Sequence, residues 1–139
     1  MEHCAISQVS SKMPARLALP AAALLMAAAV AMGAFGAHAL RARLSPDALA
    51  LWQTAVNYHA WHALGLLATA TLMLQLGERR ALRCAAALFI AGIVLFSGSL
   101  YALALGAPRV FGAVTPFGGA AFIAGWVALA LGVSRPRGG

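Results

Sequence analysis

From Leu17 to Leu40 the chain reads "LALPAAALLMAAAVAMGAFGAHAL", twenty-four residues without one Asp, Glu, Lys or Arg. A run of that length has no polar face to turn toward water, and about 20 such residues cross a hydrocarbon layer of about 30 Å as a helix. Three more apolar segments follow, from Ala55 to Leu76, from Ala81 to Leu105 with Arg83 at its edge, and from Val114 to Val133. Of the 139 residues 63% are hydrophobic and 9% charged, whereas about a quarter of a soluble domain is charged. Mean hydropathy is +0.86. Lipid is the solvent that makes this composition stable, and a chain spanning lipid must satisfy its backbone hydrogen bonds internally, as a helix does. The expected fold is all-α: an integral membrane four-helix bundle with four transmembrane helices at approximately 17–40, 55–76, 81–105 and 114–133. These form one membrane domain, 17–133, between a tail at 1–16 and a basic tail at 134–139.

Ten Lys+Arg stand against three Asp+Glu. The basic residues fall in small groups between the apolar runs rather than in a stripe interleaved with aromatics, so the lipid bilayer, not nucleic acid, is the expected partner. Lys12, Arg16, Arg79, Arg80, Arg83, Arg135 and Arg137 fall on one side of four spans, and Arg41, Arg43 and Arg109 on the other. The positive-inside rule then puts both termini in the cytoplasm. Lys12 and Arg16, the first apolar run and "AHA" at 37–39 imitate a signal peptide. That run exceeds the roughly 7–15 residues of a signal core, so an uncleaved span is expected. Met13 offers a second start, which would make residues 1–12 dispensable. Cys4 and Cys84 have no metal-type spacing and imply no disulfide framework.

The second helix is expected to begin well before its apolar run. Ser45 suits an N-cap, Pro46 the first helical position and Asp47 the first turn. Continued to Gly77 it would have roughly 30 residues and a length of about 46 Å, more than a span needs. Leu49, Trp52 and Val56 share a face of the excess and suit half-immersion in the membrane interface. Thr115 and Pro116 resemble a cap and first residue for the fourth helix. Small residues at four-residue spacing, such as Ala29, Gly33 and Ala37, or Ala124, Ala128 and Gly132, allow close helix packing in lipid.

The polar residues of the spans collect toward one side: His38, Asn57, Tyr58, His59, His62, Ser97, Ser99, Tyr101 and Thr115. An unpaired polar group in hydrocarbon costs several kcal/mol, so gathering them at one depth allows mutual hydrogen bonding. One reading is a polar clasp joining four helices, with Trp52, Tyr58 and Trp61 as an aromatic belt. The other is a site. His38, His59 and His62 could offer three imidazoles to Zn or Cu, although no carboxylate lies near them to orient the ligands. A quinone or haem could also rest against the histidines and tyrosines. A transporter is the weakest version, for want of an intramembrane carboxylate or internal repeat. No catalytic signature occurs, and an enzyme is not expected.

"GAFGAHAL" (33–40), "WQTAVNYHAWHALGLL" (52–67), "AGIVLFSGSLYALAL" (91–105) and "TPFGGAAFIAGW" (115–126) resemble, in order, the YgdD-like family of small inner-membrane proteins. The resemblance covers about residues 17–133 and implies a four-span inner-membrane protein. The family has no established activity to carry over. Its recurring motifs match Gly33, Gly36, His38, Trp52, Tyr58, His59, His62, Ser97, Gly98, Ser99, Tyr101, Thr115, Pro116, Gly118, Gly119 and Trp126, largely the positions that depth alone gathers. The expected role is structural or accessory, through helix packing with itself or a larger membrane complex. The alternative is binding of a small ligand or metal in the polar cluster.

Overall fold

A computed structural model describes residues 14–134; the tail positions 1–13 and 135–139, including Cys4 and Lys12, lie outside them. Among the described residues the chain is entirely helical, in four long rods. Helix α1 runs over Ala15–Leu40, its last turn, Gly36–Leu40, wound as a π-helix. Helix α2 is Pro46–Leu76. Helix α3 is Arg80–Ala104, with a π-turn at Ile93–Ser97. Helix α4 is Val110–Ser134. By length and composition α1, α3 and α4 can each cross a membrane. Helix α2 has the length, 31 residues, but carries Gln53, Asn57, His59, His62 and Gln75.

The start of α2 follows its sequence signals. Ser45 is extended and its Oγ accepts the Ala48 N–H at 3.2 Å, with Pro46 and Asp47 in the first turn. Gly77 ends the helix at φ 85°, and Gly106 turns the chain after α3 at φ 91°, a backbone region that side chains disfavour. The start of α4 differs from expectation. The helix begins at Val110, Pro116 lies inside it, and Thr115 is no cap: its Oγ1 donates back to the Phe111 carbonyl at 3.4 Å. A proline in the second turn forfeits one main-chain bond, and the helix continues through it.

Helix α2 is central: α1 packs on one flank, α3 on another, and α4 packs mainly on α3. Seven-residue series, the repeat of helices that wrap around one another, run through the interfaces. On α1 the buried series is Ala15, Ala22, Ala29 and Gly36; on α2 it is Trp52, His59, Leu66 and Met73. On α4 it is Gly118, Gly125 and Gly132. Side chains added at these three glycines would run into Phe96, Phe89 and Leu82 of α3 respectively. Each step down one helix is matched by a step up the other, so α3 and α4 keep one antiparallel register. Small residues let the rods approach until dispersion and Cα–H contacts operate, which is how helices associate where lipid is as apolar as leucine. Outward lie Leu24, 71% exposed, and Phe117, 70% exposed, with Val94 and Ile123. These are faces for lipid.

Two hydrogen bonds gather one end of the bundle. The Glu78 carboxylate accepts the Ala15 N–H at 2.9 Å, and Arg79 Nη1 donates to the Gly132 carbonyl at 2.9 Å. The α2–α3 corner thereby touches the start of α1 and the end of α4.

Candidate functional site

The polar residues lie toward the other end and divide among three seams. At the α1–α2–α3 seam, Trp52 is buried because its ring fills the gap left by Gly36, where a Cβ would sit 2.6 Å from the indole. Its Nε1–H donates to the Met32 carbonyl at 2.9 Å, and its ring packs on Tyr101 with centroids 4.7 Å apart. Leu49 and Val56 join Trp52 in a small core with Leu40 and Ala104. The early face of α2 is thus covered by protein rather than immersed in the interface, because α1 and α3 are long enough to reach it.

Two turns beyond Trp52 along α2, the Tyr101 hydroxyl and His59 Nδ1 are 3.3 Å apart. The Leu25 carbonyl of α1 lies near the same imidazole without completing a hydrogen bond, and Nε2 has no partner. Ser97, in the π-turn one turn before Tyr101, is fully enclosed and its Oγ also has no partner. His59 Nε2 and Ser97 Oγ are the fully enclosed side-chain atoms of this layer without a hydrogen bond among the described residues.

At the α2–α3–α4 seam His62 is enclosed by rings. It stacks on Phe122 with centroids 3.4 Å apart and planes at 11°, and Phe89, Tyr58 and Trp126 surround it. Its Nδ1–H donates to the Tyr58 carbonyl at 2.7 Å; a carbonyl only accepts, so Nδ1 holds the proton. Tyr58 packs on Phe96 at 4.6 Å. At the α3–α4 seam the hydroxyls of Ser99 and Thr115 are 2.8 Å apart, and Ser99 Oγ also reaches the Phe96 carbonyl at 2.9 Å.

The remaining positions do not join this layer. His38 is exposed, and among the described residues no three His, Cys, Asp or Glu side chains meet in a group that could hold a metal ion. The three-histidine set is therefore not assembled: His38 rides the outer side of the α1 π-turn, while His59 and His62, three residues apart, point into different seams. Asn57 is half-buried and accepts from Gln53 Nε2 at 2.9 Å on α2 itself. Of the three aromatics read as a belt, Trp52 is buried, Tyr58 is half-buried and Trp61 alone faces outward, 56% exposed. Sequence reading missed Phe89, Phe122 and Trp126 as the enclosure of His62, and Phe96 packed behind them on Tyr58 and Phe122. Their signal was available in the seven-residue spacing of Phe89 and Phe96, which places both on one face.

This layer can hold helices together by hydrogen bonds and stacked rings, and it offers one open imidazole nitrogen and one open hydroxyl to a hydrogen-bonding group. Tyr101 and His59 are its hydroxyl–imidazole pair among the described residues.

A family profile described as "Protein of unknown function (DUF423)" matches residues 32–119, which include every residue of the polar layer. A UPF0382 membrane protein of Bacillus subtilis, YwdK, is 48% identical over 99 residues, covering 71% of this chain and 80% of its own. A UPF0382 membrane protein of Haemophilus influenzae is 40% identical, covering 78% of this chain and 86% of its own. The UPF0382 inner membrane protein YgdD of Escherichia coli is 40% identical over 109 residues, covering 76% of this chain and 80% of its own. No solved structure matches the chain. The chain belongs to this family of membrane proteins of unknown function, the YgdD-like DUF423 family.

Proposed function

We propose that this chain is a four-span bacterial inner-membrane protein, without enzymatic activity, that acts as a structural or accessory component by packing with itself or a larger membrane complex. The observation that carries this reading is how the buried polar groups are used. Trp52 is tied to α1, His59 to Tyr101, and Ser99 to Thr115, each across a helix boundary. Such bonds stitch rods together in lipid, where an unpaired polar group is expensive. The place of α2 between α1 and α3, both long and apolar enough to cross, supports counting it as a span. The excess of basic residues at the Glu78 end supports cytoplasmic termini. Reporter fusions after Gly139 and within 106–112 test the topology: a cytoplasmic C-terminus with an external 106–112 loop is expected, and an external C-terminus refutes the orientation. Thermal unfolding of His59→Ala/His62→Ala tests the role: a protein that inserts but melts earlier is expected.

One observation favours a second reading, a small ligand in the same layer. His59 Nε2 and Ser97 Oγ are enclosed and unbonded, and the carbonyl or hydroxyl head of a quinone-like molecule would give either one a partner. A copurifying chromophore lost in His59→Ala would establish this reading over the clasp.

A further inference from the structure

The end of the bundle opposite the polar layer is strongly basic among the described residues. Arg16, Arg79, Arg80 and Arg83 gather there, joined by the Ala15–Glu78 and Arg79–Gly132 hydrogen bonds. Glu78 is the one acidic side chain at this end among the described residues, and its carboxylate already accepts the Ala15 N–H. Arg80 and Arg83 are three apart at the start of α3 and therefore share a face. Arg80 is exposed; Arg83 is half-buried, with its Nε enclosed and no hydrogen-bond acceptor.

A guanidinium does not shed its proton, and the two terminal nitrogens of Arg83, unlike its Nε, are not enclosed and can meet an acceptor from outside the chain. Its fork of N–H groups matches two oxygens of a phosphate. The acceptor must also tolerate an apolar flank, because Leu131 and Val133 of the adjoining α4 end are exposed. A charged head on acyl chains meets both demands. We propose that the α2–α3 corner, centred on Arg80 and Arg83, binds the headgroup phosphate of an anionic phospholipid. Basic clusters where helices leave the bilayer attract such lipids, at about fivefold in affinity for each arginine near the surface.

Native mass spectrometry of the full chain, offered equal amounts of phosphatidylglycerol and phosphatidylcholine, tests this. The wild-type protein should retain phosphatidylglycerol preferentially, Arg80→Gln/Arg83→Gln should bring the ratio near one, and Arg41→Gln/Arg43→Gln at the opposite end should keep the preference. Arg80→Gln alone, at an exposed position, should weaken the preference by about fivefold and serves if the double variant does not fold. Equal retention of both lipids by the wild type, an unchanged preference in the Arg80 variants, or equal loss in the Arg41/Arg43 variant overturns the proposal. Erasure of the preference by millimolar inorganic phosphate would reassign the site to a free anion and overturn the lipid assignment.

Discussion

Gly118 of α4 lies directly on the main chain of Phe96 of α3: a Cβ at Gly118 would fall against the Phe96 nitrogen and 2.7 Å from its Cα. Backbone cannot swing aside as a flexible side chain does, so this contact sets the distance between the two helices. Gly118→Ala should therefore destabilise the bundle by about 1–3 kcal/mol as an overpacked contact. The same change at Gly98, helical with open space around it, should be neutral or stabilising by up to ~1 kcal/mol, the helix preference of alanine over glycine. Thermal or denaturant unfolding in detergent of the two variants side by side checks the contrast. Equal effects would mean that α3 and α4 do not meet at Gly118.

Trp52 and Gly36 form a lock and its recess. Trp52→Phe removes the bond to the Met32 carbonyl and should cost about 0.5–1.5 kcal/mol for the hydrogen bond, beyond the loss of ring area. Gly36→Ala should cost more in the wild type than in the Trp52→Phe background, because the smaller ring vacates the space the new methyl needs. A double-mutant cycle on unfolding free energies reads this directly, and additive costs would contradict it.

Ser99 and Thr115 should couple across the α3–α4 seam. The cycle Ser99→Ala and Thr115→Val is expected to give about 0.6 kcal/mol, and no more than about 1.7, the range of interhelical hydrogen bonds in membranes. No coupling would mean that the hydroxyls bond only to their own helices.

Glu78 should matter for the start of α1. Glu78→Ala should cost about 0.5–2 kcal/mol, as lost helix caps do, while Glu78→Gln, whose amide oxygen still accepts the Ala15 N–H, should cost less. Proteolysis near residue 14 in proteoliposomes should rise in the alanine variant and stay near wild type in the glutamine variant.

Much of this architecture was legible from local chemistry. Ser45, Pro46 and Asp47 mark the start of α2 because capping is a matter of adjacent residues, and the one-sided distribution of His59, Ser99, Tyr101 and Thr115 follows from depth alone. What escaped depends on rotation and on neighbours. His38 has the right depth but the wrong face, since a π-turn resets the angular position of each residue near it. Thr115 and Pro116 have the composition of a helix start, yet the chain had already begun its helix at Val110. The pairing of Gly118, Gly125 and Gly132 with Phe96, Phe89 and Leu82 needs the antiparallel register of two helices, which no single segment contains.

Elemental analysis with an absorption spectrum of the detergent-purified protein tells whether His59 and His62 hold helices or a cofactor. No stoichiometric metal and no chromophore beyond the aromatic residues is expected, in wild type and in His59→Ala/His62→Ala alike, with the variant melting at a lower temperature. A stoichiometric metal, haem or quinone in the wild type, lost in a variant that still inserts and melts normally, would contradict the helix-holding role.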